Sequence, residues 1–129
     1  MAIKYKIVEL KPNSLISKGN NQVYSGRFVQ SGKITLYQLA KEISDKSSFA
    51  HADVIGVVSM IAQVATDYLT LGMGVDLGEL GSLSLDLESE TTNSKEKFTS
   101  RNIKRAKVRF TPSMEVKNEL KRAKFEPVE

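Results

Sequence analysis

Between Ala50 and Leu71, Val54, Val57, Val58, Ile61, Val64, Ala65, Tyr68 and Leu69 recur at three- and four-residue spacing, the period of an amphipathic helix. Asp53 falls in the first turn, where a carboxylate complements the helix dipole, and Gly72 is placed to end the helix in a left-handed conformation. Ile55 and Met60 widen the apolar surface beyond one stripe. A helix apolar on more than one side packs against more than one neighbour. The chain has 129 residues, with four Tyr, five Phe and no Trp, so its own core is modest. A core shared between two chains is easier to stabilise, and the long helix therefore hints at a dimer.

The other elements fall around it. Ile3, Tyr5 and Ile7 alternate with Lys4 and Lys6, the two-residue period of a half-buried strand. Lys11-Pro12-Asn13-Ser14 and Lys18-Gly19-Asn20-Asn21 are loop chemistry, and Val23 to Val29 can form a second strand. Thr35 with Gln38 makes a capping box ahead of a helix carrying Leu36, Leu39, Ala40 and Ile43. After the long helix come Val75 and Leu77, then Leu83, Leu85 and Leu87 alternating with Ser84, Asp86 and Glu88. A polar stretch from Ser89 to Arg101 holds one aromatic, Phe98. A returning strand, Ile103 to Phe110, sets Ala106, Val108 and Phe110 on one face and Arg105, Lys107 and Arg109 on the other. Thr111 as cap and Pro112 at the first helical position open a short last helix, and Phe125 onward reads as a tail. Strands and helices are segregated, an α+β arrangement. The expected organisation is an N-terminal β hairpin over 1–32, a main domain over 33–125 and a tail over 126–129.

Charge is uneven. The chain carries +4, yet residues 95–124 hold eleven Lys/Arg against three acids, a local +8 on a faintly acidic remainder. Such asymmetry points to an anionic partner with a defined docking side; the plainer reading is a solvated basic surface. Cysteine is absent, which removes disulfides, thiolate catalysis and sulfur ligands. The lone histidine, His51, cannot build a metal site. Gly72-Met73-Gly74-Val75-Asp76-Leu77-Gly78 misses the dinucleotide fingerprint because Leu77 stands where its third glycine belongs. No nucleophile-and-base constellation is present. An enzyme is not expected, nor a cofactor, a metal or a small-molecule substrate. No uninterrupted apolar run nears 18 residues and no secretory leader opens the chain, so a soluble, cytoplasmic protein without a membrane span is expected.

From residue 33 onward the chain resembles the HU/IHF family of bacterial histone-like, DNA-bending proteins. The resemblance rests on the capped helix at Thr35, the long helix from Ala50, and Val75-Asp76-Leu77-Gly78-Glu79-Leu80-Gly81-Ser82-Leu83. Val108-Arg109-Phe110-Thr111-Pro112-Ser113-Met114-Glu115-Val116-Lys117-Asn118-Glu119-Leu120 resembles the family's closing strand and last helix. The β extension before residue 33 is similar to a longer branch of that family. The resemblance implies an intertwined homodimer with a helical body, a β saddle and two β arms reaching around duplex DNA, here about residues 87–107. In the family a proline at each arm tip wedges between base pairs. This chain has no proline between Gly32 and Thr111, and the arm signature around it is missing too. Phe98 is the one bulky apolar residue there, and is read as packing rather than as a wedge.

The function expected is that of a nucleoid-associated architectural protein binding double-stranded DNA through phosphates, with little base readout. Lys95, Lys97, Arg101, Lys104, Arg105, Lys107 and Arg109 are the expected contacts, with Lys117, Lys121 and Arg122 extending the footprint. Asp86 and Glu88 lie across from the basic strand if the two pair, and an ion-pair ladder holding the arm together is the competing reading. The alternative function is a protein-interaction or structural module on the same scaffold with weak or no DNA binding. Single-stranded nucleic acid is disfavoured because no strand presents an array of exposed aromatics.

Overall fold

The computed structural model describes residues 2–11 and 22–128. Most of the two loops expected between Lys11 and Asn21 therefore lies outside the described residues. Contacts divide the chain into two compact units, Leu36–Leu120 and a second made of Met1–Thr35 with Lys121–Glu129.

In the larger unit, α1 (Leu36–Lys46) and α2 (His51–Thr70) pack together as a helical hairpin. Ala40 on α1 is fully buried, and Ala65 and Leu69 on α2 are nearly so. The small alanine side chains leave room for the two backbones to approach. The turn between the helices is held locally: Ser47 Oγ donates to the Ile43 carbonyl at 2.6 Å and accepts from the Phe49 N–H at 3.2 Å. Gly72 ends α2 with a φ of 82°, as its position predicts. Its N–H donates to the Leu69 carbonyl and that of Met73 to the Tyr68 carbonyl, the paired bonds of a Schellman cap.

Three antiparallel strands follow in the order β3-β4-β5: β3 (Val75–Asp76), β4 (Gly81–Ser89) and β5 (Ile103–Pro112). Leu77, expected in β3, belongs to the turn instead. There Asp76 Oδ1 accepts from the Gly78 N–H at 2.9 Å, and the Leu77 N–H donates to the Gly81 carbonyl at 2.8 Å. Gly81 must be glycine. Its φ is 146°, and a Cβ would stand 2.3 Å from the Thr111 carbonyl oxygen.

The last helix, α3 (Met114–Lys121), starts later than the sequence suggests. Pro112 closes β5 opposite Gly81 rather than opening the helix. A proline fits there because β5 is an edge strand and its end needs no ladder N–H. Ser113 takes over as cap, its Oγ accepting from the Val116 N–H at 3.2 Å and donating to the Glu79 carbonyl.

The smaller unit is a three-stranded sheet in the order β2-β1-β6. β1 (Ala2–Leu10) pairs antiparallel with β2 (Val23–Val29), and in parallel with β6 (Lys124–Pro127). The residues read as a C-terminal tail thus include a strand. Phe125 alternates with Lys124 and Glu126, a period too short to register as a strand until β1 lies beside it. The Val128 N–H donates to the Tyr5 carbonyl at 2.8 Å, and Lys4 Nζ pairs with Glu126.

Little of one chain is buried. The only buried hydrophobic side chains among the described residues are those three in the helical hairpin. Val57, Met60, Ile61, Val64 and Tyr68 of α2 are each about half exposed. Together with Phe49, Val75 and Leu77 they line a wide apolar groove of about 950 Å³. By length and composition α2 is also apolar enough to cross a membrane. Asp53, Gln63 and Asp67 break its uninterrupted apolar runs, but averaged over the helix those breaks do not lower the hydropathy far enough to exclude it.

Candidate nucleic-acid interface

The candidate surface is the ribbon made by β4 and β5 and its closed end. Period-two alternation places Arg105, Lys107 and Arg109 on one face of β5, and the register sets Glu88 opposite Arg105, Asp86 opposite Lys107, and Ser84 opposite Arg109. The carboxylates engage the bases. Arg105 Nε donates to Glu88 Oε2 at 2.7 Å, Lys107 Nζ lies 3.0 Å from the same oxygen, and Arg109 Nη1 lies 3.6 Å from Asp86 Oδ2. The hydrogen bond from Arg105, then that from Lys107, holds the Glu88 carboxyl below its ordinary range. The opposed charges that the sequence set side by side are therefore a ladder of ion pairs. Exposed pairs of this kind add little to stability, because water and salt screen them. The larger consequence is electrostatic, since a paired cation offers a phosphate less positive field.

At its end the ribbon changes character. Pairing shifts register after Glu88 and stops at Ser89 opposite Ile103. The segment expected as an extended arm is instead closed by two short 3₁₀ turns, Lys95–Lys97 and Ser100–Asn102. Ser94 Oγ caps the first by accepting from the Lys97 N–H. Asn102 organises the second. Its side-chain oxygen accepts from the Thr99 N–H at 2.9 Å, and its backbone carbonyl accepts from the Glu90 N–H at 2.8 Å. Phe98 is 40% exposed and borders a depression with Glu90, Thr92 and Ser94.

This folding separates the expected contact residues into three sets. Lys95, Lys97, Arg101 and Lys104 gather at the closed end, are exposed, and make no ion pair among the described residues. Glu96 is the acid among them. Arg105, Lys107 and Arg109 lie along the strand, matched to carboxylates. Lys117 and Lys121 are exposed on α3, and Arg122 follows its last residue. Lys104 alternates to the side of β5 that carries Ala106, Val108 and Phe110, so it does not continue the Arg105–Lys107–Arg109 row.

The structure also groups cations that the charge pattern along the chain does not single out. The unit built on β1, β2 and β6 holds nine Lys/Arg against three Asp/Glu, a net +6, while Leu36–Leu120 is net −2. In the β1–β2 register Lys6 stands directly opposite Arg27, and no carboxylate among the described residues pairs with either. Six of those nine cations lie in the first 35 residues, with Glu9 the one acid there. The signal is present in the sequence, but pooling residues 1–94 with the acidic body cancels it.

His51 is engaged structurally. Its Nε2 lies 3.1 Å from the Tyr37 carbonyl oxygen, and its ring meets the Tyr37 ring edge-on at 4.4 Å. No group of His, Asp or Glu among the described residues is arranged to hold a metal ion.

The family model described as an HU domain fused to a wHTH, Ig or glycine-rich motif matches residues 1–127. A comparison with curated protein sequences finds no match. Among solved structures, the chain is similar to one from Bacteroides vulgatus ATCC 8482 described as a candidate bacterial DNA-binding protein. The TM-score is 0.68 at 9% sequence identity, so the likeness is one of fold. The match covers 98% of this chain and 48% of the other, so this chain spans about half the length of that neighbour. With a helical hairpin, a β ribbon closed by basic turns and a family match running from residue 1 to residue 127, the chain belongs to the HU-HIG family of HU-type domains.

Proposed function

We propose that the chain is a histone-like architectural protein that binds double-stranded DNA as a homodimer, mainly through phosphates and with little base readout. It acts in the cytoplasm, associated with the nucleoid, and belongs to a longer branch that carries an N-terminal β extension. The observation that carries this reading is the cluster Lys95, Lys97, Arg101 and Lys104, exposed and without an ion pair among the described residues, at the end of an HU-type ribbon. Strand cations already matched to Glu88 and Asp86 contribute less. Binding therefore concentrates at the ribbon's closed end rather than along its length. With no proline at that end, the duplex is gripped without the wedge that kinks it.

The apolar groove along α2 supports dimerisation. Half-exposed Val57, Ile61 and Val64 beside Tyr68 would leave a lone chain with a contiguous apolar face open to water. Covering it with the same face of a second copy completes the core that one chain lacks.

The test is duplex binding across a salt series. If all four tip cations of both chains meet phosphates, the logarithmic slope approaches about −7, at roughly −0.9 per neutralised phosphate. The slope should be shared by unrelated sequences. An affinity indifferent to salt removes the proposal. The ion-pair ladder supports a second reading, a protein-interaction module on the same scaffold. A well-folded dimer that shifts no duplex at low salt would select it.

A further inference from the structure

We propose that the cation-bearing face of the β2-β1-β6 sheet is a second phosphate-backbone contact for double-stranded DNA, on a different unit of the fold from the ribbon. The register sorts this sheet by chemistry. Side chains alternate along each strand, and cross-strand partners share a face. Tyr5, Phe28 and Phe125 therefore fall on one side, where Glu9 is the only charged residue at the paired positions. Lys4, Lys6, Arg27 and Lys124 fall on the other, with Glu126 the only acid there. Glu126 is held by Lys4. Lys6, Arg27 and Lys124 are exposed and pair with no carboxylate among the described residues.

The four cations make a stripe across all three strands. Arg27 on the edge strand β2 lies opposite Lys6 on β1, and Lys4 stands two residues before Lys6. Lys124 lies on the other edge strand, β6, opposite Ala2. Cross-strand neighbours stand about 5 Å apart, and same-face neighbours along a strand about 7 Å. Such a stripe suits an anion that repeats along a line better than one isolated phosphate. Lys6 opposite Arg27 is also a like-charge pair, which destabilises a sheet standing alone. A bound polyanion removes that repulsion, and each phosphate neutralised releases counterions.

The separation of the two faces selects among polyanions. A membrane surface is met by basic and apolar side chains that project together, and here the rings lie on the face away from the cations. A protein partner is held by aromatic anchors at the centre of its interface. All four aromatic residues of these strands, Tyr5, Tyr24, Phe28 and Phe125, lie on the opposite side. The same face of a second copy would set like charge against like. A phosphate backbone needs only the charge. The choice of duplex as the polyanion rests on the reading of the ribbon; the placement of the cations does not.

The experiment measures duplex binding by the full chain across a salt series. Lys6→Gln with Arg27→Gln should weaken binding about tenfold or more at low salt, and flatten the logarithmic slope by about 0.9 for each phosphate no longer neutralised. The exchange Lys6→Arg with Arg27→Lys should keep both affinity and slope, because the contact follows charge. The glutamine variant should melt no lower than the unmodified chain, since it removes a like-charge pair. A second readout needs no variant: bound duplex should slow acetylation of the Lys6 amine in the unmodified chain, followed by mass spectrometry. Unchanged affinity and slope in the folded glutamine variant overturn the proposal. So does acetylation of Lys6 at the same rate with and without duplex. If the glutamine variant keeps duplex binding but loses self-association, or binding to polyglutamate or to phosphatidylserine vesicles, the face serves another partner and the proposal falls. The ribbon reading fails separately. Duplex binding that survives Lys95→Gln, Lys97→Gln and Arg101→Gln together, but not Lys6→Gln with Arg27→Gln, would refute the ribbon alone.

Discussion

The two sheets of this protein treat their cations differently. On the β4–β5 ribbon every strand cation of the basic row has a carboxylate within 4 Å, and the cations without one sit at and beyond the last strand pair, around the 3₁₀ turns. On the β2-β1-β6 sheet the only ion pair among the described residues is Lys4 with Glu126, while Lys6 and Arg27 face each other unneutralised. Both sheets are basic by residue count, yet one is largely self-compensated. The lesson is that a basic strand is not an anion site until the strand beside it is known.

The comparison can be broken most severely by removing the body that holds the ribbon. Val57→Asp with Ile61→Asp places charge in the apolar groove of α2. The expected result is a monomer with duplex affinity down about a hundredfold or more, since burying an unpaired charge in an interface costs several kcal/mol. Sedimentation and gel shift check it together; a dimer with normal affinity would relocate the interface.

Gly81→Ala attacks the ribbon itself. The backbone conformation alone costs about 1–3 kcal/mol, and the clash with the Thr111 carbonyl adds to it. A thermal melt should show a drop of several degrees, and a melt that does not move would mean the turn rearranges freely.

Lys95→Gln, Lys97→Gln and Arg101→Gln together should flatten the salt slope by about 0.9 for every phosphate that is no longer neutralised, counted over both chains. Duplex affinity should fall about tenfold or more at low salt. The same change made at Arg105, Lys107 and Arg109 should cost less, because those cations are already compensated. Equal reductions from the two triples would erase the distinction between strand and tip.

Glu88→Gln sharpens it in the other direction. It releases Arg105 and Lys107, so duplex affinity should rise a few-fold and the salt slope steepen by up to about 2 per chain. An isotherm indistinguishable from that of the unmodified chain would show that the ladder does not restrain those bases.

The smallest expected effect is in pH. Glu88 has its pKa lowered on folding by Arg105 and then Lys107. Its stabilising contribution is therefore complete above the ordinary carboxylate range and is lost as pH falls through the lowered value. The ladder should persist through mildly acid solution, with any acid gain in duplex affinity appearing only below the usual carboxylate range. Glu88→Gln should abolish that gain; a gain already complete at the ordinary value would contradict the pairing.

Legibility from sequence varied by element. α2 and its Gly72 stop were plain, because a helical period sustained over 20 residues and a terminal glycine are local features. The β4 and β5 alternation was equally plain, and with it the opposition of Asp86 and Glu88 to the basic row. The start of α3 was displaced by two residues, since Pro112 suits both a first helical turn and a strand end, and only Gly81 across the ladder decides between them. Of the site, the residue types were readable but not their availability, which depends on the partner strand.

By itself the sequence determined the helical hairpin, the ribbon, the excess apolar surface of α2 and the absence of an arm proline, all set by short-range pattern and composition. The tertiary structure decided which cations are matched to carboxylates, that the closed end is folded into turns, and that Lys124–Pro127 joins β1. It alone set Tyr5, Phe28 and Phe125 on one face, a row drawn from both ends of the chain. The physical reason is the same in each case. Pairing between strands is a non-local interaction, and neither a charge's neighbour across a sheet nor a ring's companion on a face is fixed until the register is.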